Sequence, residues 1–93
     1  MSLEKDRSDF AVMNRMIDRI RLLIAIDDEE ISIKKKLEVQ AILKDFQLLL
    51  GVPAAERERV RIKGYYDILW RELGEQADVA ALLSSLRNYI EYV

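Results

Sequence analysis

Apolar residues recur every three or four positions in four separate stretches of this chain. Because an α-helix turns once in about 3.6 residues, this spacing places them along one side of a helix. Three Gly and one Pro among 93 residues leave few turn formers, which favours long helices with short connections. The pattern predicts one all-α domain, residues 1–93, with helices at about 8–26, 29–50, 53–73 and 78–93.

Each stretch carries one apolar stripe that is expected to face a shared core. Loops of about two to six residues make neighbouring helices antiparallel, so the simplest architecture is an up-down four-helix bundle. An open arrangement that completes its core by homodimerisation is the alternative. The stripes are Phe10, Met13, Ile17, Ile20 and Ile24; Val39, Ile42, Leu43, Phe46, Leu49 and Leu50; Ala55, Ile62, Tyr66, Leu69 and Leu73; and Val79, Leu82, Leu83, Leu86, Ile90 and Val93.

Several residues mark the expected helix ends. Ser8 or Asp9 is suited to cap the first helix, and Asp78 is suited to cap the fourth, because a short polar side chain can accept a hydrogen bond from the first-turn N–H groups. Gly51 stands where a left-handed C-terminal cap is favoured. Pro53 follows it and suits the first turn of the third helix, where its missing N–H would be unpaired anyway.

The second helix is apolar on two sides. Ile33, Leu37, Ala41 and Leu48 form a second line opposite its core stripe. A helix with two apolar sides is typically central in a fold or contacts something outside its own domain. We therefore expect these residues to form a protein-binding surface. Trp70 is a second candidate, since tryptophan is enriched at interfaces between proteins.

Composition excludes several kinds of chemistry. The chain has no Cys and no His, which removes thiol chemistry, the commonest acid–base group at neutral pH and the commonest metal ligand. We expect no catalytic residue, no cofactor and no metal. The longest apolar runs, such as 22–26, are far shorter than the roughly 18 residues of a membrane span, and no signal peptide is visible. We therefore expect a small soluble cytoplasmic domain with no membrane partner.

Two charged clusters give alternative functional hypotheses. Asp27, Asp28, Glu29 and Glu30 could serve a metal-dependent enzyme, but four consecutive acids point in four directions and suit a helix N-terminus better. A basic stripe on the third helix indicates a small nucleic-acid-binding regulator instead, with contacts to phosphate. The residues of that stripe are Arg57, Arg59, Arg61 and Lys63.

Weighed together, these features favour a binding module over a catalyst. The leading hypothesis is an adaptor or regulatory subunit that self-associates, as a homodimer, or docks on a protein partner through spare apolar helix faces. Removal of apolar area from water, at roughly 25 cal/mol per Å², would drive this association. The nucleic-acid regulator is the second hypothesis, and the carboxylate–metal enzyme is the third.

Overall fold

The structure is a computed structural model, and it describes residues 3–27 and 31–90. Within these residues the chain is all-helical and has no strand, which confirms the predicted fold class. The elements are α1 (Leu3–Ile26), α2 (Ile33–Leu50), a 3₁₀ turn (Ala54–Glu56), α3 (Arg59–Leu73) and α4 (Ala77–Arg87).

Each helix packs mainly against two others. Both α1 and α3 contact α2 and α4, so one core lies between the four helices. The molecule is elongated along the helices, with extents of 43, 21 and 17 Å. None of the described polar or charged residues is buried. The buried core consists of Met13, Ile17, Ile20, Ile24, Ile31, Val39, Leu43, Phe46, Leu50, Ile62, Tyr66, Leu69, Leu73, Val79, Leu83, Leu86 and Ile90.

The third helix begins later than predicted. Pro53 precedes the 3₁₀ turn, and Arg57 is extended with φ −69° and ψ 141°, so α3 starts only at Arg59. Ala55, which was placed on the inner face, is exposed. The physical reason is that no side chain between Pro53 and Ile62 is buried in the core. A short helix without an apolar face to bury is marginal in water.

Helix ends also differ from the sequence predictions in the other three helices. Ser8 and Asp9 both lie inside α1 rather than at its start. Gly51 does cap α2, but with φ −74° its conformation is right-handed, and its N–H donates to the carbonyls of Gln47 and Leu48. Asp78 lies in the first turn of α4, one residue after the helix begins, and residues 91–93 of the predicted fourth helix lie outside the described residues. The one-residue difference at Asp78 is common at helix ends. The other differences are larger, because α1 begins at Leu3 and α4 ends at Arg87, so that residues 88–90 of the predicted fourth helix are not helical.

The start of α2 is defined by a side-chain cap. Ser32 Oγ accepts a hydrogen bond from the Lys35 N–H at 3.2 Å, so the helix starts at Ile33 rather than at residue 29. Before it, Asp27 Oδ2 accepts from the Ile31 N–H at 2.9 Å, and Lys36 Nζ donates to the Asp27 carbonyl. These two hydrogen bonds link Asp27, which follows α1, to residues at the start of α2. Across the described residues, no helix is long and apolar enough to cross a membrane.

Tyr66→Phe is expected to lower the free energy of unfolding by about 1 kcal/mol, the usual net value of one internal hydrogen bond. The Tyr66 hydroxyl donates to the buried Leu83 carbonyl at 2.7 Å and so links α3 to α4. Urea denaturation followed by circular dichroism measures the change. Tyr65→Phe is the matched control. It removes the hydroxyl of the neighbouring tyrosine, which donates to Asp45 of α2, and so it leaves the link between α3 and α4 intact. Unchanged stability of Tyr66→Phe would contradict a stabilising role for this bond.

Candidate protein-interaction face

The second apolar line of α2 lies on the surface. Ile33, Leu37 and Leu48 are 77%, 68% and 67% exposed, and Ala41 is exposed between them. The opposite side of the same helix holds Val39, Leu43, Phe46 and Leu50, which are buried. We call the surface formed by Ile33, Leu37, Ala41 and Leu48 the outer α2 face.

A polar seam fixes α1 against α2 beside this face. Gln47 Nε2 donates to Asn14 Oδ1 and to Asp18 Oδ1, both at 2.8 Å, and Gln47 Oε1 accepts from Arg21 Nη1 at 3.2 Å. Gln40 accepts from Arg21 Nε at 3.1 Å and donates to the Arg21 carbonyl at 2.9 Å. The amide donors and acceptors of Gln47 and Gln40 are therefore occupied within the molecule. The seam holds α1 and α2 together as one layer.

Two further exposed apolar residues lie on α1, and one of them, Ile26, lines a pocket with residues 75–79 beside α4. Leu22 and Ile26 are exposed and one helical turn apart, on the side opposite the buried Ile17, Ile20 and Ile24. The Arg21–Gln40 hydrogen bonds place this end of α1 at the level of Leu37. Their spacing of four residues outside the core stripe was the signal that could have found them.

A second polar cluster holds α3 on the other side of α2. The Tyr65 hydroxyl donates to Asp45 Oδ2 at 2.6 Å, and Arg61 Nη2 lies 3.3 Å from both oxygens. The hydrogen bond to Tyr65 and the nearby Glu58 and Asp45 carboxylates raise the pKa of Arg61 above its usual value. Further along, Lys35 pairs with Glu72 at 3.5 Å. These contacts join α2 to α3, and they leave the outer α2 face uncovered.

The four residues of the proposed basic stripe are not arranged as one stripe. Arg57 precedes α3 and its Nε donates to the Val52 carbonyl at 3.2 Å. Arg61 is engaged with Asp45, Glu58 and Tyr65, and Lys63 pairs with Asp67 at 2.9 Å. Arg59 and Arg61 are two residues apart on α3 and therefore point to different sides. Of these cations, Arg61 and Lys63 are balanced by neighbouring acids.

Trp70, the second predicted contact residue, lies on α3. Trp70 is half-buried on α3 and packs against the core, with its ring edge-on to Tyr66 at a centroid distance of 6.3 Å. It therefore supplies packing within the molecule.

The acidic run is only partly described. Asp27 lies at the end of α1, where its carboxylate accepts from the Ile31 N–H. Asp28, Glu29 and Glu30 lie outside the described residues. The structure therefore assigns a local structural contact to Asp27.

Comparison of the chain with known protein families, curated proteins and solved structures gave no match.

Proposed function

We propose that the chain is a small helical protein-interaction module, an adaptor or regulatory subunit that binds a helix of another chain through the outer α2 face. The observation that carries this proposal is the exposure of three large apolar side chains in one line, on a helix whose other side is fully buried. Single exposed apolar residues are ordinary on protein surfaces, but an aligned set commonly marks an interaction site. The other chain is a second copy or a different protein.

The proposed architecture is an up-down four-helix bundle in which α1 and α2 present this face as a rigid layer. Antiparallel neighbours are supported by the pairing of Arg21 with Gln40 and of Asn14 with Gln47, because residues late in α1 meet residues early in α2. A surface already fixed by hydrogen bonds loses little conformational entropy on binding. We therefore expect association without rearrangement of the helices.

Leu37→Asp is expected to weaken binding at least about tenfold, because a carboxylate would be moved from water into an apolar contact. Tagged wild type and variant are compared for capture of untagged chain and of proteins from an extract of the source cells. Each retained protein is identified by mass spectrometry and then titrated in purified form. The helicity of Leu37→Asp should match wild type, since the side chain is exposed.

Val60→Asp is the matched control. Val60 is 88% exposed in the first turn of α3, away from the outer α2 face, so the same chemical change is made on another surface. An acid in a first turn is favoured by the helix dipole, and stability should be unaffected. Wild type and Val60→Asp should bind alike. Equal binding by Leu37→Asp would exclude the outer α2 face as the contact.

A further inference from the structure

A pocket lies at one end of the molecule, between the first part of α1 and the connection from α2 to α3. Its volume is about 200 Å³. It is separate from the outer α2 face, because no residue of that face lines it. Apart from two arginines, the described residues of its wall carry no charge and no polar side chain. These lining residues are Arg7, Phe10, Leu50, Gly51, Val52, Pro53 and Arg57.

The apolar wall of the pocket is fixed by the core of the bundle. Leu50 is fully buried, and Phe10 is partly buried against the core. Gly51 lies beside Phe10, since a Cβ added at Gly51 would be 3.6 Å from Phe10 Cζ. Val52 is 40% exposed. An apolar group that entered the pocket would therefore meet a wall that is already in place, and it would cover part of Val52.

Two arginines border this wall. Arg7 precedes Phe10 by three residues on α1, so the two side chains lie on the same side of the helix. Arg57 is held by its own connection, because its Nε donates to the Val52 carbonyl at 3.2 Å. That bond uses the Nε N–H alone, and the N–H groups of both Nη atoms stay available to a ligand.

The two cations have no acidic partner at the pocket. Among the described residues, no Asp or Glu lines it, and Arg7 forms no hydrogen bond or ion pair with the described part of the chain. Arg61 and Lys63 of α3, by contrast, are paired with acids. Two cations beside one apolar pocket favour an anion that has an apolar body. The planar guanidinium of arginine suits a carboxylate, because it can donate two parallel hydrogen bonds to it.

We propose that this pocket binds a small carboxylate with an apolar body, such as an aromatic or branched-chain acid. The apolar body lies against Phe10, Leu50 and Val52, and the carboxylate pairs with Arg57 and Arg7. The volume sets the size of the ligand. A cavity of about 150 Å³ is enough to bind benzene, so a pocket of about 200 Å³ accommodates one ring or one branched alkyl group together with its carboxylate.

Isothermal titration of the full chain with benzoate and with 4-methylpentanoate tests the class of ligand. Both acids are expected to bind saturably with Kd values of about 1 mM or lower, and binding should weaken as ionic strength rises because salt screens the charge contact. Benzyl alcohol keeps the ring without the charge, and inorganic phosphate keeps the charge without the apolar body. Each should bind at least about tenfold more weakly than benzoate.

Substitution of the arginines tests the location. Arg57→Gln should weaken benzoate binding about tenfold, because the forked contact with the carboxylate is lost. Arg7→Gln should weaken it about threefold, the usual effect of one exposed charge. Arg71→Gln is the matched control, since it removes the same charge from the last turn of α3, far from the pocket, and it should bind benzoate like wild type. In wild type, the amide NMR signals of Gly51 and Val52 should shift during the titration.

Several results would overturn the proposal. One is the lack of saturable benzoate binding up to about 10 mM, and another is equal binding of benzyl alcohol or phosphate. A third is benzoate binding by Arg7→Gln and Arg57→Gln that matches Arg71→Gln. Arg7→Gln is the decisive variant, because it breaks no contact within the described chain and its helicity should equal that of wild type. Weaker binding by this variant therefore reports the lost charge and not a change of fold.

Discussion

Leu43→Ala is expected to lower the free energy of unfolding by about 2–5 kcal/mol. Leu43 is fully buried in the middle of α2, facing the core shared by all four helices. Truncation removes its transfer free energy and leaves a cavity that neighbouring helices can fill only in part. Domains of this size are stabilised by roughly 5–15 kcal/mol in total, so the variant is expected to be close to unfolding at moderate urea concentrations.

Leu48→Ala is the matched control, with the same substitution five residues later on the same helix. Leu48 is mostly exposed, so no cavity forms, and the free energy of unfolding should change by less than about 0.5 kcal/mol. Both variants are compared by urea denaturation at a protein concentration where the chain is monomeric, which removes any contribution from association. An equal loss of unfolding free energy in the two variants would mean that the buried side of α2 is not the side that carries Leu43.

Helical periodicity located the core well because burial follows the 3.6-residue repeat. In α1 the predicted stripe residues Met13, Ile17, Ile20 and Ile24 are buried, and Phe10 is partly buried against them. The same reasoning placed Ile33, Leu37 and Leu48 away from the core, and they are exposed. Their role in binding stays a prediction, since exposure alone identifies no partner.

Helical periodicity did not predict the polar contacts between residues of different helices. From the sequence, Asp45 is a plain charge on a helix surface, but in the fold it joins Tyr65 and Arg61, which lie 20 and 16 residues away. The Gln47 contacts with Asn14 and Asp18 span 33 and 29 residues and were equally hidden. Partners so distant in sequence become visible only when the helices are placed side by side.

The two polar clusters also explain why one side of α2 is available for binding. Gln40 and Gln47 direct their amides toward α1, and Asp45 directs its carboxylate toward Tyr65 of α3. The buried apolar residues of α2 lie on a third side of the helix and face the core. The remaining side carries Leu37 and its neighbours, and no helix of the described chain covers it. Apolar side chains in that position stabilise the chain only when another molecule covers them.

Gly64→Ala and Gly74→Ala are expected to change stability in opposite directions. Gly64 lies inside α3 with no heavy atom within 4 Å of an added Cβ, so alanine should raise the free energy of unfolding by about 1 kcal/mol. Gly74 ends α3, and its N–H donates to the Trp70 carbonyl at 2.8 Å. A Cβ there would overlap that carbonyl oxygen and lie 3.1 Å from Trp70 Cε3.

Because the overlap at Gly74 involves backbone, a side-chain rotation cannot relieve it, and the loss is expected to be about 1–3 kcal/mol. Thermal unfolding should separate the two variants clearly, since 1 kcal/mol shifts Tm by about 4–8 °C in a domain of this size. Gly64→Ala thus controls for the general effect of adding a methyl group to a glycine in or beside α3. If Gly74→Ala unfolds at the wild-type temperature, the turn into α4 must shift away from Trp70 at no cost, and the close packing at the end of α3 would have no role in stability.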